Sequence, residues 1–414
     1  MTAVAELELP AFDYSDPELT GEPWHDAVRA ARERGWLARA EPIGFFVLER
    51  EAAAFFLRTP KATFPGTRIL ELQGVTEGPL WERLKGNLLD LDGEDHRRLR
   101  KLVQPAFTPP AADRHRPAMR RHLADLFEPV SGGGAFEATA ALTKPYPARM
   151  IAELMGAPLA DAERLGVWAN LIQGQFDPIK VANEREALER AAAEFVEYTR
   201  ALIADRHDDP GDDLISVLIA AEEEGDRLSA DEVVHLTSAI LVGGVDTTQA
   251  QLAHALILFA RHPDQWELLA GRPELAPQAV EEILRYEPIT PITARITLED
   301  IEYDGVTFPE GTLLFAAAVA ANRDPAAYEE PERFDITAER GRAKPLTFGA
   351  GPHFCLGANL ARAELQEALA FLAPRMPGLA LEAEPVYDTP LGIYAVEELR
   401  LGFEPGPRAG HARM

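Results

Sequence analysis

The chain has 414 residues, 46% of them hydrophobic and 26% charged, the balance of a globular protein rather than a disordered one. Its formal net charge of -27 repels polyanions, which excludes nucleic acid and anionic lipid as partners. One cysteine excludes an internal disulfide and a cysteine-based zinc cluster.

The N-terminus, MTAVAELELP, has no basic leader and no apolar run, and no later stretch reaches the length of a bilayer-spanning helix, so a cytoplasmic protein is expected. Helical periodicity predicts helices around 24–35, 96–107, 114–128, 158–172, 183–206, 214–223, 229–261, 277–286 and 358–374. Alternation predicts strands at 43–48, 301–307, 312–317 and 398–403. Segments such as Ser131–Gly134 and Asp208–Gly211 read as loops between helices. The fold class is therefore mainly α with small β-sheets, expected as one cooperative unit over residues 1–414.

From His96 to His122 the chain runs against its own charge, with eight Arg or Lys and one acid, Asp113. Such a stretch either pairs with acidic neighbours or forms a docking surface. Ser229 and Glu232 have the spacing of a capping box, and the pattern behind them continues to about Arg261, roughly 48 Å of helix. In its middle, Gly243-Gly244 costs about 2 kcal/mol relative to two alanines. Either another helix crosses tightly there or a flat ligand presses on the backbone, with Asp246 and Thr247 beside it.

The densest signal is FGAGPHFCLGANLARAEL, residues 348–365. Gly349, Gly351 and Pro352 interrupt regular structure before Cys355, and a helix starts just after it. A helix N-terminus favours a thiolate and lowers its pKa. Gly357 leaves the approach to the sulfur open.

Phe348, Gly351, Cys355 and Gly357 have the spacing of the haem-binding loop of the cytochrome P450 family, which this chain resembles from about residue 90 to 370. The resemblance implies a single haem domain with a long helix crossing over a haem b group. It makes Cys355 the axial iron ligand and places Phe348 beside the sulfur; a thiolate ligand favours O–O cleavage. Asp246-Thr247, with Gly243 before them, resembles the oxygen-activation segment, in which an acid and an alcohol deliver protons. Glu282, Arg285 and Arg333 match a buried structural triad bracing the cysteine loop. His96, Arg100, Arg295 and His353 match the contacts to the haem propionates, although Asp92-Gly93-Glu94-Asp95 departs from the usual prolines before the His and implies a changed loop. By position, Ala239, Val242, Ile292, Thr293, Ile393 and Phe176 line an apolar substrate pocket, with Leu70 to Val75 as part of its roof.

The implied activity is insertion of one atom of O2 into a hydrophobic small molecule. The chain carries no flavin or nicotinamide fingerprint, so electrons come from a ferredoxin and its NAD(P)H-dependent reductase. Arg97, Arg98 and Lys101 are candidate docking residues, and a monomer is the family's default. Three alternatives stand beside this reading. One is a peroxide-driven peroxygenase, which has no need of Asp246-Thr247. Another is a non-catalytic haem sensor. The last is a Cys–His hydrolase, whose base, His353, is expected to point away from Cys355.

Overall fold

A computed structural model describes residues 2–14, 16, 18–223, 228–341 and 343–405. Each predicted helix forms, the longest over Ala230–Arg261 with the Ser229/Glu232 capping box closed in both directions. This helix is buried on nearly every side, from Val233 to Phe259, because it is apolar all round and crosses the interior. It packs against the helices Pro145–Leu154, Ala162–Gln173 and Ala358–Leu372, and their shared side chains form the main core. No helix among the described residues is long and apolar enough to cross a membrane.

Beside the helical mass lies a six-stranded mixed sheet in the order Ala11–Asp13, Leu37–Glu41, Phe45–Val47, Leu313–Ala317, Ile292–Thr297 and Ala62–Thr63. Its register sets Arg295 opposite Leu314 and Thr293 opposite Ala316. Three smaller sheets accompany it among the described residues.

Residues 301–307 do not form one strand. They are a hairpin of Ile301–Tyr303 and Val306–Phe308, turned at Asp304 (φ 48°) and Gly305 (φ 75°). Asp-Gly is a preferred pair for such a turn because both residues take positive φ. Helices at Arg50–Arg58 and Pro145–Leu154 and the strand Ile292–Thr297 were not anticipated from the pattern. Those helices are short, one with an alanine run and the other with two prolines in its first turn, and the strand carries Arg295 on a buried position.

Candidate active site

The central helix, the Cys355 loop and the Ile292–Thr297 strand enclose a cavity of about 970 Å³, at the upper end of the roughly 300–1,000 Å³ that small-molecule sites occupy. Gly243 and Thr247 face it from the helix, and Cys355 and Gly357 from the loop. The two helix glycines have different reasons. A Cβ on Gly244 would lie 2.3 Å from Ile151 Cδ1, so this residue permits a helix crossing. A Cβ on Gly243 would meet nothing within 4 Å, so its bareness widens the cavity.

The loop ahead of Cys355 turns through Gly349 (φ 71°) and Gly351 (φ 75°), and the Cys355 N–H donates to the Phe348 carbonyl at 2.9 Å. Gly351 does not face the cavity. A Cβ there would come 2.7 Å from the Leu57 carbonyl oxygen, so this glycine seats the loop on the helix Arg50–Arg58 and is not itself a cofactor contact. Gly357 meets nothing within 4 Å and opens the approach to the sulfur. Cys355 is open to the cavity rather than to bulk water. Burial therefore pushes its thiol up, against the pull of the Gly357 and Ala358 N–H groups, Arg100 and Arg362. The helix N-terminus acts in the expected direction, but desolvation outweighs it. A coordinated metal cation reverses that balance, since a ligating thiol is deprotonated outright. Phe348 lies under the Arg362 guanidinium, 4.6 Å from its ring centre, and Arg362 is held by Glu281.

Behind the loop, Arg285 bonds Glu282 through two nitrogens at 2.8 Å, both residues almost wholly buried. Arg333 is not the third member. Its side chain is 59% exposed and pairs with Glu330 and Asp335; only its carbonyl accepts, at 2.9 Å from Arg285. The second cation on Glu282 is Arg340, at 2.6 Å. Arg285 also donates to the Asn322 carbonyl. The Asn322 side chain bonds Thr347 at 2.9 Å and the Leu346 N–H at 2.7 Å, which carries the brace to Phe348.

His96, Arg100, Arg295 and His353 converge on the cavity wall from three segments. Neither arginine has a carboxylate partner among the described residues, and Arg295 spends one nitrogen on the neighbouring Ala294 carbonyl. The His96 and His353 rings lie 4.4 Å apart; His353 bonds Asp92 at 3.0 Å, and His96 Nε2 has no partner. Burial, with His353 and Arg100 nearby, pushes His96 down to about 4, so the ring is a neutral hydrogen-bond donor at pH 7. The altered loop starts its helix at Gly93 (φ 60°) and turns Asp92 onto His353, leaving His96 on the cavity. His353 shares the wall with Cys355 instead of pointing away, because residues 351–354 form a tight turn. A flat dianionic macrocycle such as haem fits this donor set: a sulfur, bare backbone above and below, and unpaired guanidinium groups at one edge.

Thr247 donates to the Gly243 carbonyl at 2.7 Å and faces the cavity. Asp246 is buried and raised to about 7 by desolvation; Lys180 opposes the shift, and Asp388 and Glu397 add to it. Lys180 and Asp388 form a half-buried ion pair that no sequence pattern announced. Ala239, Val242, Ile292, Thr293, Ile393 and Phe176 all line the cavity. Of the proposed roof, Leu72 and Gln73 reach it, as does Ile69 just before that segment, while Leu70 and Val75 turn into the core. Half of the basic stretch is paired: Arg98 to Glu232, Arg116 and Arg120 to Glu367, and Arg121 to Glu153.

Comparison with known proteins agrees with this geometry. The sequence matches the cytochrome P450 family model over residues 171–270 and 272–372. It is 38% identical to luteothin monooxygenase of Streptomyces thioluteus over 404 residues, 96% of each chain. It is also 38% identical over 303 residues to mycinamicin IV hydroxylase/epoxidase of Micromonospora griseorubida, covering 72% of this chain and 74% of that one. The crystal structure of CalO2 superimposes with a TM-score of 0.89 at 31% identity, covering 96% of this chain and all of that one. The chain belongs to the cytochrome P450 family of haem-dependent, oxygen-incorporating oxidoreductases.

Proposed function

We propose that this enzyme hydroxylates or otherwise oxygenates a hydrophobic small molecule, with haem b held by Cys355 and electrons supplied by an external ferredoxin and its reductase. The observation that carries the proposal is that Cys355, Gly243 and Thr247 line one cavity. Two relatives with printed oxygenation activities, a monooxygenase and a hydroxylase/epoxidase, support it.

The haem, when bound, supplies the two-electron activation of dioxygen, and a thiolate ligand favours O–O cleavage. The protein supplies position and protons. Arg100, Arg295, His96 and His353 hold the propionate edge, as charge-assisted hydrogen bonds require. Asp246 titrates near neutrality, which suits a group that both takes up and gives a proton. It collects protons from the Lys180–Asp388 pair and passes them to the Thr247 hydroxyl. Phe348 and the brace behind it fix the sulfur. Arg97 and Lys101, exposed and without ion pairs among the described residues, are left to meet an acidic electron donor. The enzyme works as a cytoplasmic monomer on this reading.

Thr247→Ala tests the proton assignment. With surrogate ferredoxin and reductase, the variant keeps consuming NADH but releases most of the electrons as hydrogen peroxide. Unchanged coupling of NADH to product would remove Thr247 from the relay.

A further inference from the structure

Arg83 is a deeply buried cation on the cavity wall that lies outside the group matched to the haem propionates. It sits on the short helix Pro79–Leu84 and is 4% exposed. Its Nη2 donates to Gln175 Oε1 at 2.7 Å, and its Nε has no partner. No carboxylate pairs with it among the described residues, whereas Arg285, Arg340 and Arg362 each have one. Burial pushes Arg83 down to about 10, so it remains a cation at neutral pH. A buried charge without a counter-charge is costly to keep, and a ligand anion is what balances it.

The surroundings are those of a recognition group. Gln175 touches Arg83, and Gln73, Asn87 and Gln173 also line the largely apolar cavity, where a few placed polar groups orient a ligand. Gln175 is itself 1% exposed, and the helix carrying Arg83 is pinned where Glu189 accepts the Leu80 N–H at 2.8 Å. Arg83 is also apart from the propionate group. Arg100 acts on Cys355, and Arg295 acts on Asp92 and His353. Arg83 instead acts on His235, about 18 Å before Thr247 along the helix axis.

We infer that Arg83, oriented by Gln175, recognises a carboxylate on an otherwise apolar substrate and thereby sets which end of that substrate meets Cys355. The inference rests on the cavity being the substrate site. Carboxylate–neutral pairs of one shape test it: dodecanoate with dodecan-1-ol, and 2-naphthylacetate with its primary amide. Binding is read from the Soret shift of haem-loaded enzyme. The wild type should bind the carboxylate about 30-fold more tightly than its neutral partner, the low end of what breaking a buried charge pair costs. Arg83→Gln should erase that preference while still binding the neutral partner, and Arg83→Lys should keep part of it. Equal binding of both partners, or a preference that survives in Arg83→Gln, overturns the inference and leaves the pocket standing. No response to any of the four probes counts against the cavity as the substrate site, and the inference falls with it. Weakened haem retention by Arg83→Gln, with the preference intact in its haem-loaded fraction, would assign Arg83 to the cofactor instead.

Discussion

Behind the Cys355 loop, buried cations have anions. Glu282 holds Arg285 and Arg340, and Glu281 holds Arg362. On the cavity wall, Arg83, Arg100 and Arg295 have no carboxylate partner among the described residues. Both regions are desolvated, so the contrast is one of purpose. A matched charge holds the chain to itself, and an unmatched one waits for something from outside. Single substitutions in the two regions should therefore fail differently, the first in folding and the second in binding.

The largest effect belongs to the brace. Arg285→Ala takes from Glu282 its buried partner, leaving it Arg340, and strips the Asn322, Pro331 and Arg333 carbonyls of their donor, so it should cost about 3–5 kcal/mol in urea unfolding. Arg340→Ala should cost less, because this side chain is 15% exposed. Arg333→Ala should stay within about 0.5 kcal/mol, since its own pairs are on the surface. An Arg333 effect as large as that of Arg285 would restore it to the triad and break the distinction drawn here.

Asp246 sharpens the contrast, being a carboxyl buried behind the wall beside Thr247 and kept there at a cost in stability. Its carboxyl sits near 3.8 when unfolded and is raised to about 7 in the fold. The folded state therefore binds the proton more tightly, and stability falls as pH rises from about 4 to 7. Asp246→Asn removes this penalty. Unfolding curves should show little gain at pH 4 and a gain of up to about 4 kcal/mol at pH 8. A gain independent of pH would mean that desolvation is not what raises the group.

Gly243 gives the smallest effect. Gly243→Ala should stabilise the helix by roughly 0.5–1 kcal/mol, because a Cβ there meets nothing, while narrowing the cavity and weakening ligand binding. Gly244→Ala should instead destabilise, since its Cβ falls on Ile151. If both behave alike, the two glycines do not have separate reasons.

The same division explains what the sequence revealed. Glu282 and Arg285 are one helical turn apart, and Phe348 to Gly357 is a continuous run, so local spacing was enough to find them. Arg340 reaches Glu282 from 58 residues away, with nothing in its own neighbourhood to mark it. Arg333 sat where the family pattern puts a partner, but its side chain turned to the surface. Arg83 looks ordinary within WERLK; the packing of residues 79–84 against Pro178–Asp208 and the central helix, with the bond to Gln175, buries it. Lys180 and Asp388 likewise meet across 208 residues. The hairpin at 301–308 was misread as one strand, although Asp304-Gly305 is a turn signal inside it.

The central claim is that Cys355 presents a thiolate to haem inside this cavity, and the most direct test is the carbon monoxide difference spectrum of the reduced, haem-loaded protein. The account predicts the strongly red-shifted Soret band of a thiolate-ligated ferrous–CO complex, abolished by Cys355→His. A chain that takes up no haem, or a band typical of histidine ligation in the wild type, would contradict it.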